Sequence, residues 1–275
     1  MYELDTGSYR KVTHLFENVP INTWFAQAVI NGVANGQVFV DNLLNPEVVY
    51  IIHNYGMSLI LGDSTNTGFN QFLIEYWSKA RRSHNEFLQA YPESWDKIIP
   101  TLLTNDLLIE GVDSAEKIIQ AKNVLHTRVN FSFNPKKYSQ LRTKVNLDDY
   151  DIREFGIDDF ANYSGSVVPN LFWRDADTFR KNGKAYAVYV KGELASVAFS
   201  SCQNDEILEL GIETNPDFRG CGLAKIACIR LIDYALDCGL TPIWACRKGN
   251  LGSYKLAESI GFVVDCELAY YQLKM

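Results

Sequence analysis

Hydrophobic and polar residues alternate most regularly in the last third of the chain. Along residues 207–214, leucine or isoleucine at every second position alternates with Glu209, a glycine and Glu213. This period of two predicts a strand whose apolar side faces the core and whose two glutamates share the opposite face. Just before it, residues 185–190 and 194–202 predict two strands joined by a tight Lys-Gly-Glu turn.

The same part of the chain carries further elements whose order is typical of an α/β fold. The pattern predicts helices at 158–164 and 174–181 before the three strands, and after them a helix from 223 to a stop at Gly239, a strand at 242–246, a helix at 250–259 and a β-pair at 262–264 and 268–273. The fold class is therefore predicted as mixed α/β.

The first 126 residues predict a separate α/β lobe. Its clearest elements are a helix at 24–30, strands at 37–40, 48–53 and 57–61, and helices at 70–83 and 114–124. The polar, lysine-rich stretch 127–157 is interpreted as a linker or crossover. The predicted domains are thus 1–126 and 127–275, with the linker at the start of the second.

Composition excludes several classes of protein. The 275 residues are 47% hydrophobic and 21% charged, which is typical of a globular chain and excludes a disordered one. No apolar run approaches the roughly 20 residues that a membrane helix needs. The net charge of −7 argues against a general nucleic-acid binder.

The start of the chain lacks a signal-peptide pattern, and the six cysteines include no Cys-x-x-Cys. We therefore expect a cytoplasmic protein without a metal, nucleic acid or membrane as partner; the oligomeric state stays open.

The candidate chemistry lies in the loop between the strand at 207–214 and the next helix. Gly220 and Gly222 lack side chains, so a ligand can approach the backbone there. The first N–H groups of the helix have no internal partner, and the helix dipole adds positive charge. Arg219 contributes a full charge. These features predict a diphosphate-binding loop, and the spacing fits neither the dinucleotide fingerprint nor the Walker loop.

Residues 216–224 resemble the acetyl-coenzyme A signature of the GNAT superfamily of N-acetyltransferases, written Arg/Gln-x-x-Gly-x-Gly/Ala. Its defining positions are filled by Arg219, Gly222 and Ala224. Asn250, followed by Gly261-Phe262, is similar to a later motif of the superfamily. The resemblance covers about residues 158–275 and implies the GNAT fold, with a splayed mixed sheet, in the carboxyl-terminal half.

A narrower resemblance is to the zwittermicin-resistance type of GNAT protein. It rests on residues 211–216, on Trp-Ala-Cys at 244–246, and on Asn250 with Ser253. That type has a long amino-terminal lobe, which residues 38–63 resemble. The lobe of this chain could build one wall of an acceptor pocket or be a degenerate GNAT-like half.

The resemblance implies acetyl-coenzyme A as the cofactor and places it residue by residue. The pantetheine arm would lie along the backbone of Ile212, Glu213 and Thr214. Asn250 and Ser253 would touch the pantetheine or phosphate region. The pyrophosphate would be held by Arg219, Gly220, Cys221, Gly222, Leu223 and Ala224.

Acetyl transfer to an amine needs a base, because most amines are protonated at neutral pH. All four histidines precede residue 127, so carboxylates are the better candidates. Glu209 is the first candidate and Glu213 the second; partial burial would raise the pKa of Glu209 toward a useful value. Many members of the superfamily carry a tyrosine acid at the position that is Ala257 here. Tyr254, one helical turn earlier, is the candidate replacement.

The sequence therefore predicts acetyl-coenzyme A-dependent N-acetylation of a primary amine on a small molecule, by direct attack in a ternary complex. Two alternatives stay open. The alanine at the usual tyrosine position fits a catalytically weak sensor that binds acyl-coenzyme A. A protein or peptide N-acetyltransferase would need an open groove, which the sequence alone does not reveal.

Overall fold

The computed structural model of the protein describes residues 1–78, 82, 84–103 and 106–275. Contacts divide the chain into two units: residues 1–128 with 247–249 and 267–275, and residues 129–246 with 250–266. The sequence-based division assigned residues 267–275 to the second domain, whereas the contacts group them with the first unit. No helix in the described ranges is both long enough and apolar enough to cross a bilayer.

The first unit contains a mixed sheet with the strand order β1-β2-β3-β4-β5-β13. Its strands are β1 (Tyr2–Glu3), β2 (Gly36–Val40), β3 (Val48–His53), β4 (Met57–Gly62), β5 (Glu86–Tyr91), β6 (Leu107–Ile109), the first part of β7 (Asn123–Phe133) and the end of β13 (Phe262–Leu273). Its helices are a 3-10 segment at Thr6–Phe16, α1 (Trp24–Ile30), α2 (Thr67–Ser78), α3 (Trp95–Leu102) and α4 (Ala115–Gln120).

The predicted hairpin at 48–53 and 57–61 is confirmed as β3 and β4. The two strands pair antiparallel, with Tyr50 opposite Ile60, and every residue of β3 is buried. A run of β-branched and aromatic residues suits such a two-sided, buried strand. The largest fully buried side chain in this core is Trp95, whose indole N–H donates to the Gly62 carbonyl at 3.0 Å.

The second unit contains the elements that the pattern predicted from residue 158 onward and others, within residues 129–154 and at 169–172, that it did not predict. They are the end of β7, α5 (Pro135–Arg142), β8 (Asp151–Glu154), α6 (Ile157–Asn162), α7 (Pro169–Phe172), α8 (Ala176–Asn182), β9 (Ala185–Val190), β10 (Glu193–Gln203), β11 (Ile207–Thr214), α9 (Leu223–Asp237), β12 (Thr241–Arg247), α10 (Leu251–Ser259) and the start of β13. Strands β8 to β11 pair antiparallel in turn, and β11 pairs parallel with β12. The mixed α/β prediction is confirmed.

The two faces of β11 meet different helices. Leu208 and Leu210 belong to the core that α9 completes. On the other face, Gly211 lies under the ring of Phe199, where a Cβ would clash. That ring packs edge-on against Phe172 of α7, at 5.4 Å between ring centroids. The face that carries the two glutamates is therefore the one that α7 covers.

Several predicted elements differ from the structure. Residues 127–157 form regular structure rather than a linker, because Tyr138 anchors α5 by donating its hydroxyl to Asp233 Oδ1 at 2.6 Å. The helix predicted at 114–124 ends at Gln120, and Val124 is buried in β7. The predicted final β-pair is the single strand β13. The helix predicted at 70–83 is α2; residues 79–81 and 83 lie outside the described residues.

We predict that Trp95→Ala lowers the free energy of unfolding by about 3–5 kcal/mol, because it removes a buried indole and leaves a cavity. Chemical denaturation followed by circular dichroism measures the change. The matched control is Leu44→Ala, at a side chain that is 82% exposed, which should change stability by about 0.5 kcal/mol or less. Equal midpoints for the two variants would contradict this description of the core.

Candidate active site

Strands β11 and β12 separate partway along their length. Their parallel register consists of Ile207 opposite Thr241, Leu208 opposite Pro242 and Glu209 opposite Ile243, and it includes no later pair in this fully described stretch. On its other side β11 stays paired with β10 as far as Thr214. One edge of residues 210–214 therefore has no strand neighbour in register. Such an edge can hold an extended ligand through backbone hydrogen bonds.

The loop before α9 has the space and the donors that an anion needs. Gly220 and Gly222 have φ values of +78° and +77°, and a Cβ built on either would meet nothing within 4 Å. No side chain caps the first turn of α9. Helix α10, by contrast, is capped by its own Asn250, whose Oδ1 accepts from the Ser253 N–H at 3.3 Å. The open, uncapped loop fits a pyrophosphate group.

Arg219 is held at the end of β11 by its neighbours. Its Nε donates to the Thr214 carbonyl at 3.3 Å, and its Nη2 lies 3.8 Å from Glu213 Oε1. The Arg219 side chain is 63% exposed, and the thiol of Cys221 beside it is also exposed. A full positive charge therefore stands next to the amino end of α9, as the sequence predicted for a diphosphate-binding loop.

Glu209 lies where the two strands part. Its partner across the β11–β12 pair, Ile243, belongs to the last paired position, and its partner on β10 is Cys202. The residue is only 6% exposed. Burial, and then the nearby charge of Glu209, raise the pKa of the Cys202 thiol. A carboxylate at the point where the strands part can accept a proton from a ligand that lies along the open edge.

The carboxylate of Glu213, the second candidate base, is already hydrogen-bonded to a loop. Its Oε2 accepts hydrogen bonds from the Ser166 N–H at 3.1 Å, the Ser166 hydroxyl at 2.9 Å and the Val167 N–H at 2.7 Å. These residues belong to the loop between α6 and α7, which sequence reasoning missed. The only local signal was the Ser-Gly-Ser run that marks it as a loop, and no periodicity connects it to β11.

Helix α10 carries Ser253 and Tyr254, the remaining predicted site residues. The Ser253 hydroxyl accepts from the indole N–H of Trp244 at 3.1 Å. Tyr254 packs edge-on against Phe131, at 5.3 Å between ring centroids, and borders the core on the Leu208 face. The structure thus keeps Tyr254 and Glu209 on opposite faces of the sheet.

Ala257, at the position where the resemblance implies a tyrosine in many relatives, is fully buried. It belongs to the same hydrophobic core as α9, and the tyrosine ring of other superfamily members would have to displace that core here. Packing in the core therefore explains why residue 257 is an alanine in this chain.

The first unit also has a parallel strand pair followed by a helix, but there the two strands do not separate. Strands β4 and β5 pair parallel without interruption, from Met57 opposite Phe87 to Leu61 opposite Tyr91. The connection to α2 is short, and Asn66 caps that helix by accepting from the Phe69 N–H at 3.0 Å. The open strand edge and the uncapped helix therefore belong to the second unit.

Comparison with known proteins identifies the family. A sequence model of the GNAT acetyltransferase family matches residues 13–271. The chain belongs to this family. A relative in Bacillus subtilis strain 168, described as the uncharacterized N-acetyltransferase YdfB, is 25% identical over 98% of both chains. The family match extends the resemblance from the carboxyl-terminal half to nearly the whole chain.

Solved structures share the fold. A GCN5-related N-acetyltransferase-like protein from Streptococcus suis 89/1591 aligns with a TM-score of 0.70 at 21% identity, over 98% of this chain and 99% of its own. A tandem GNAT protein from the clavulanic acid biosynthesis pathway aligns with a TM-score of 0.62 at 10% identity, over 99% and 97% of the two chains. The GNAT fold prediction is confirmed, and the protein is an N-acetyltransferase by family.

We predict that Gly222→Trp weakens the binding of coenzyme A by roughly a hundredfold or more, about 2.7 kcal/mol, because an indole would fill the loop. Isothermal titration calorimetry measures the affinity. Gly192 provides a matched control, since it also has a positive φ, of +84°, and open space at its Cβ. Gly192→Trp should bind coenzyme A as the wild type does. Equal affinities for all three proteins would remove the loop from the site.

Proposed function

We propose that the protein transfers the acetyl group of acetyl-coenzyme A to the primary amine of a small molecule. The observation that carries this proposal is the separation of β11 from β12 at Glu209, directly before an open and uncapped phosphate-binding loop. The separation places the open edge, which can bind an extended ligand, next to the buried carboxylate of Glu209 on the same strand.

The residues present fit the coenzyme. The backbone of Ile212, Glu213 and Thr214 would bind the pantetheine arm along the open edge, and Asn250 and Ser253 would lie beside it. The pyrophosphate would be bound by the loop of residues 219–224. When bound, acetyl-coenzyme A supplies the acetyl group as a reactive thioester.

Glu209 acts in this proposal as the general base, taking a proton from the acceptor nitrogen. Its burial keeps bulk water away from the carboxylate, which strengthens its interaction with a cationic amine. Transfer is direct, so no side chain carries the acetyl group. Because Tyr254 lies on the opposite face, we assign the proton that the leaving thiolate needs to solvent.

The size and charge of the acceptor follow from the surroundings of Glu209. Helix α7 covers this face, with Phe172 and Trp173 both buried, and the Trp173 indole donates to the Ser200 carbonyl at 2.7 Å. A covered face favours a small acceptor over a peptide chain. The net charge of −7 favours a cationic amine.

We also propose that the first unit is a degenerate GNAT-like half. Its order β2-β3-β4-α2-β5-α3 repeats the order β9-β10-β11-α9-β12-α10 of the second unit. The similarity in fold to a tandem GNAT protein supports this proposal. The continuous pairing of β4 with β5 means that this half would bind no coenzyme.

We predict that Glu209→Gln lowers kcat by about 10²–10⁴-fold while the affinity for coenzyme A stays near that of the wild type. The loss should be greatest at low pH, where few amines are already deprotonated and a base is needed most. Rates measured across pH check this result. Glu193→Gln, at an exposed position of β10, serves as the control. Wild-type rates for Glu209→Gln at every pH would remove this residue from the mechanism.

The test of the function itself is thiol release from acetyl-coenzyme A across a panel of small amines, polyamines and lysine-containing peptides. Calorimetric titration of coenzyme A on the same preparation separates binding from turnover. We expect tight binding and release that depends on a small amine. Release with peptides alone would overturn the proposed acceptor. Tight binding without release from any acceptor would favour an acyl-coenzyme A sensor.

A further inference from the structure

The carboxylate of Glu213 connects two segments that lie far apart in sequence. Its Oε2 accepts three hydrogen bonds from Ser166 and Val167 in the loop between α6 and α7. Its Oε1 faces Arg219 at 3.8 Å. The Glu213 side chain is 11% exposed, whereas that of Arg219 is 63% exposed, so the carboxylate is partly dehydrated but the guanidinium is not.

The loop of residues 163–168 is shaped around this carboxylate. A Cβ on Gly165 would lie 3.1 Å from Glu213 Cγ and 3.0 Å from Val168 Cγ1, so a side chain there would require these neighbours to shift by a few tenths of an ångström. Burial and the charge of Glu213 raise the pKa of Tyr163, at the start of the loop, to about 12. The loop leads directly into α7, the helix that covers the face of Glu209.

We propose that Glu213 is a positioning residue: its carboxylate fixes the loop of residues 163–168 on the strand face that also carries Glu209, and it competes with a bound diphosphate for Arg219. The inference rests on the proposed function, whose site it extends. It also explains why a second glutamate shares the strand face of the candidate base without serving as a base itself.

The two contacts of Glu213 differ in strength. Three charge-assisted hydrogen bonds to one oxygen hold the loop firmly. The contact with Arg219 is long, and the guanidinium is largely in water, so this ion pair is weak. Arg219 can therefore turn from Glu213 toward a diphosphate without releasing the loop. The negative charge of Glu213 then remains beside the loop, where it attracts a cationic acceptor.

Two substitutions of Glu213 separate these contacts. In Glu213→Gln the amide oxygen still accepts from the loop, but the negative charge that attracts Arg219 is lost. In Glu213→Ala both contacts are lost. Ser166→Ala removes one of the three loop donors and keeps Arg219 in place, and it remains informative if Glu213→Ala folds poorly. Glu193→Ala, at an exposed position of β10, is the control.

Hydrogen exchange at the Ser166 and Val167 amides reports on the loop without any turnover. We expect Glu213→Ala to speed this exchange by about tenfold or more, Ser166→Ala by a few-fold, and Glu213→Gln hardly at all. Calorimetry with coenzyme A should show tighter binding, by roughly two- to fivefold, in Glu213→Gln, because the carboxylate no longer competes for Arg219.

Steady-state kinetics then distinguish positioning from catalysis. We expect Glu213→Ala to raise the acceptor KM by about tenfold with kcat within about threefold, and Glu213→Gln to restore the acceptor KM. A large loss of kcat in both variants at unchanged KM would make Glu213 a base and overturn the proposal. Unchanged exchange in Glu213→Ala would overturn it too, as would weaker coenzyme binding in Glu213→Gln.

If the wild type acetylates no amine, the proposed function fails, while hydrogen exchange and calorimetry still decide the role of Glu213.

Discussion

The site depends on one constraint, the end of parallel pairing between β11 and β12. Backbone N–H and C=O groups must find partners, so a strand that loses its neighbour offers a row of binding groups. In this protein the row of unpaired groups begins just after Glu209 and leads into the loop of residues 219–224. A ligand with amides along one part and phosphates at its end meets complementary groups in the same order. One interruption in one sheet therefore brings Glu209, the open edge and the loop of residues 219–224 into sequence along a single strand.

Sequence reasoning was most successful where one residue property decided the structure. The alternation along β11 predicted its two faces because each face meets a different environment. Strand β7 was missed because both of its sides are buried, and the polar His126, Arg128 and Asn130 are buried with them. Polar residues inside a protein break the pattern on which such predictions rest. The long strand β13 was divided for a related reason, since its acidic middle reads as a turn.

The site could be predicted only in part. Glycines with a positive φ and a charge beside a helix end are local features, so the sequence alone was enough to predict a candidate diphosphate-binding loop. The sequence ranked Glu209 before Glu213 as the candidate base, but it could not show that the two glutamates, which share a face, have different tertiary partners. Glu213 finds its partner in Ser166, 47 residues away in the sequence. The spacing also identified Ala257 as a departure from the superfamily, but only packing shows that this residue belongs to the core.

The open edge of β11 has a cost in solubility as well as a use. An unpaired strand edge can pair with the edge of another molecule, which is a common route to aggregation. In this protein the open edge is restricted to residues 210–214, and the acidic Glu213 lies within it. A short edge and a charged residue both discourage pairing with another strand. Selection for ligand binding and selection against self-association therefore act on the same few backbone groups. A chain occupied by its ligand is protected at the position where association between copies would otherwise begin.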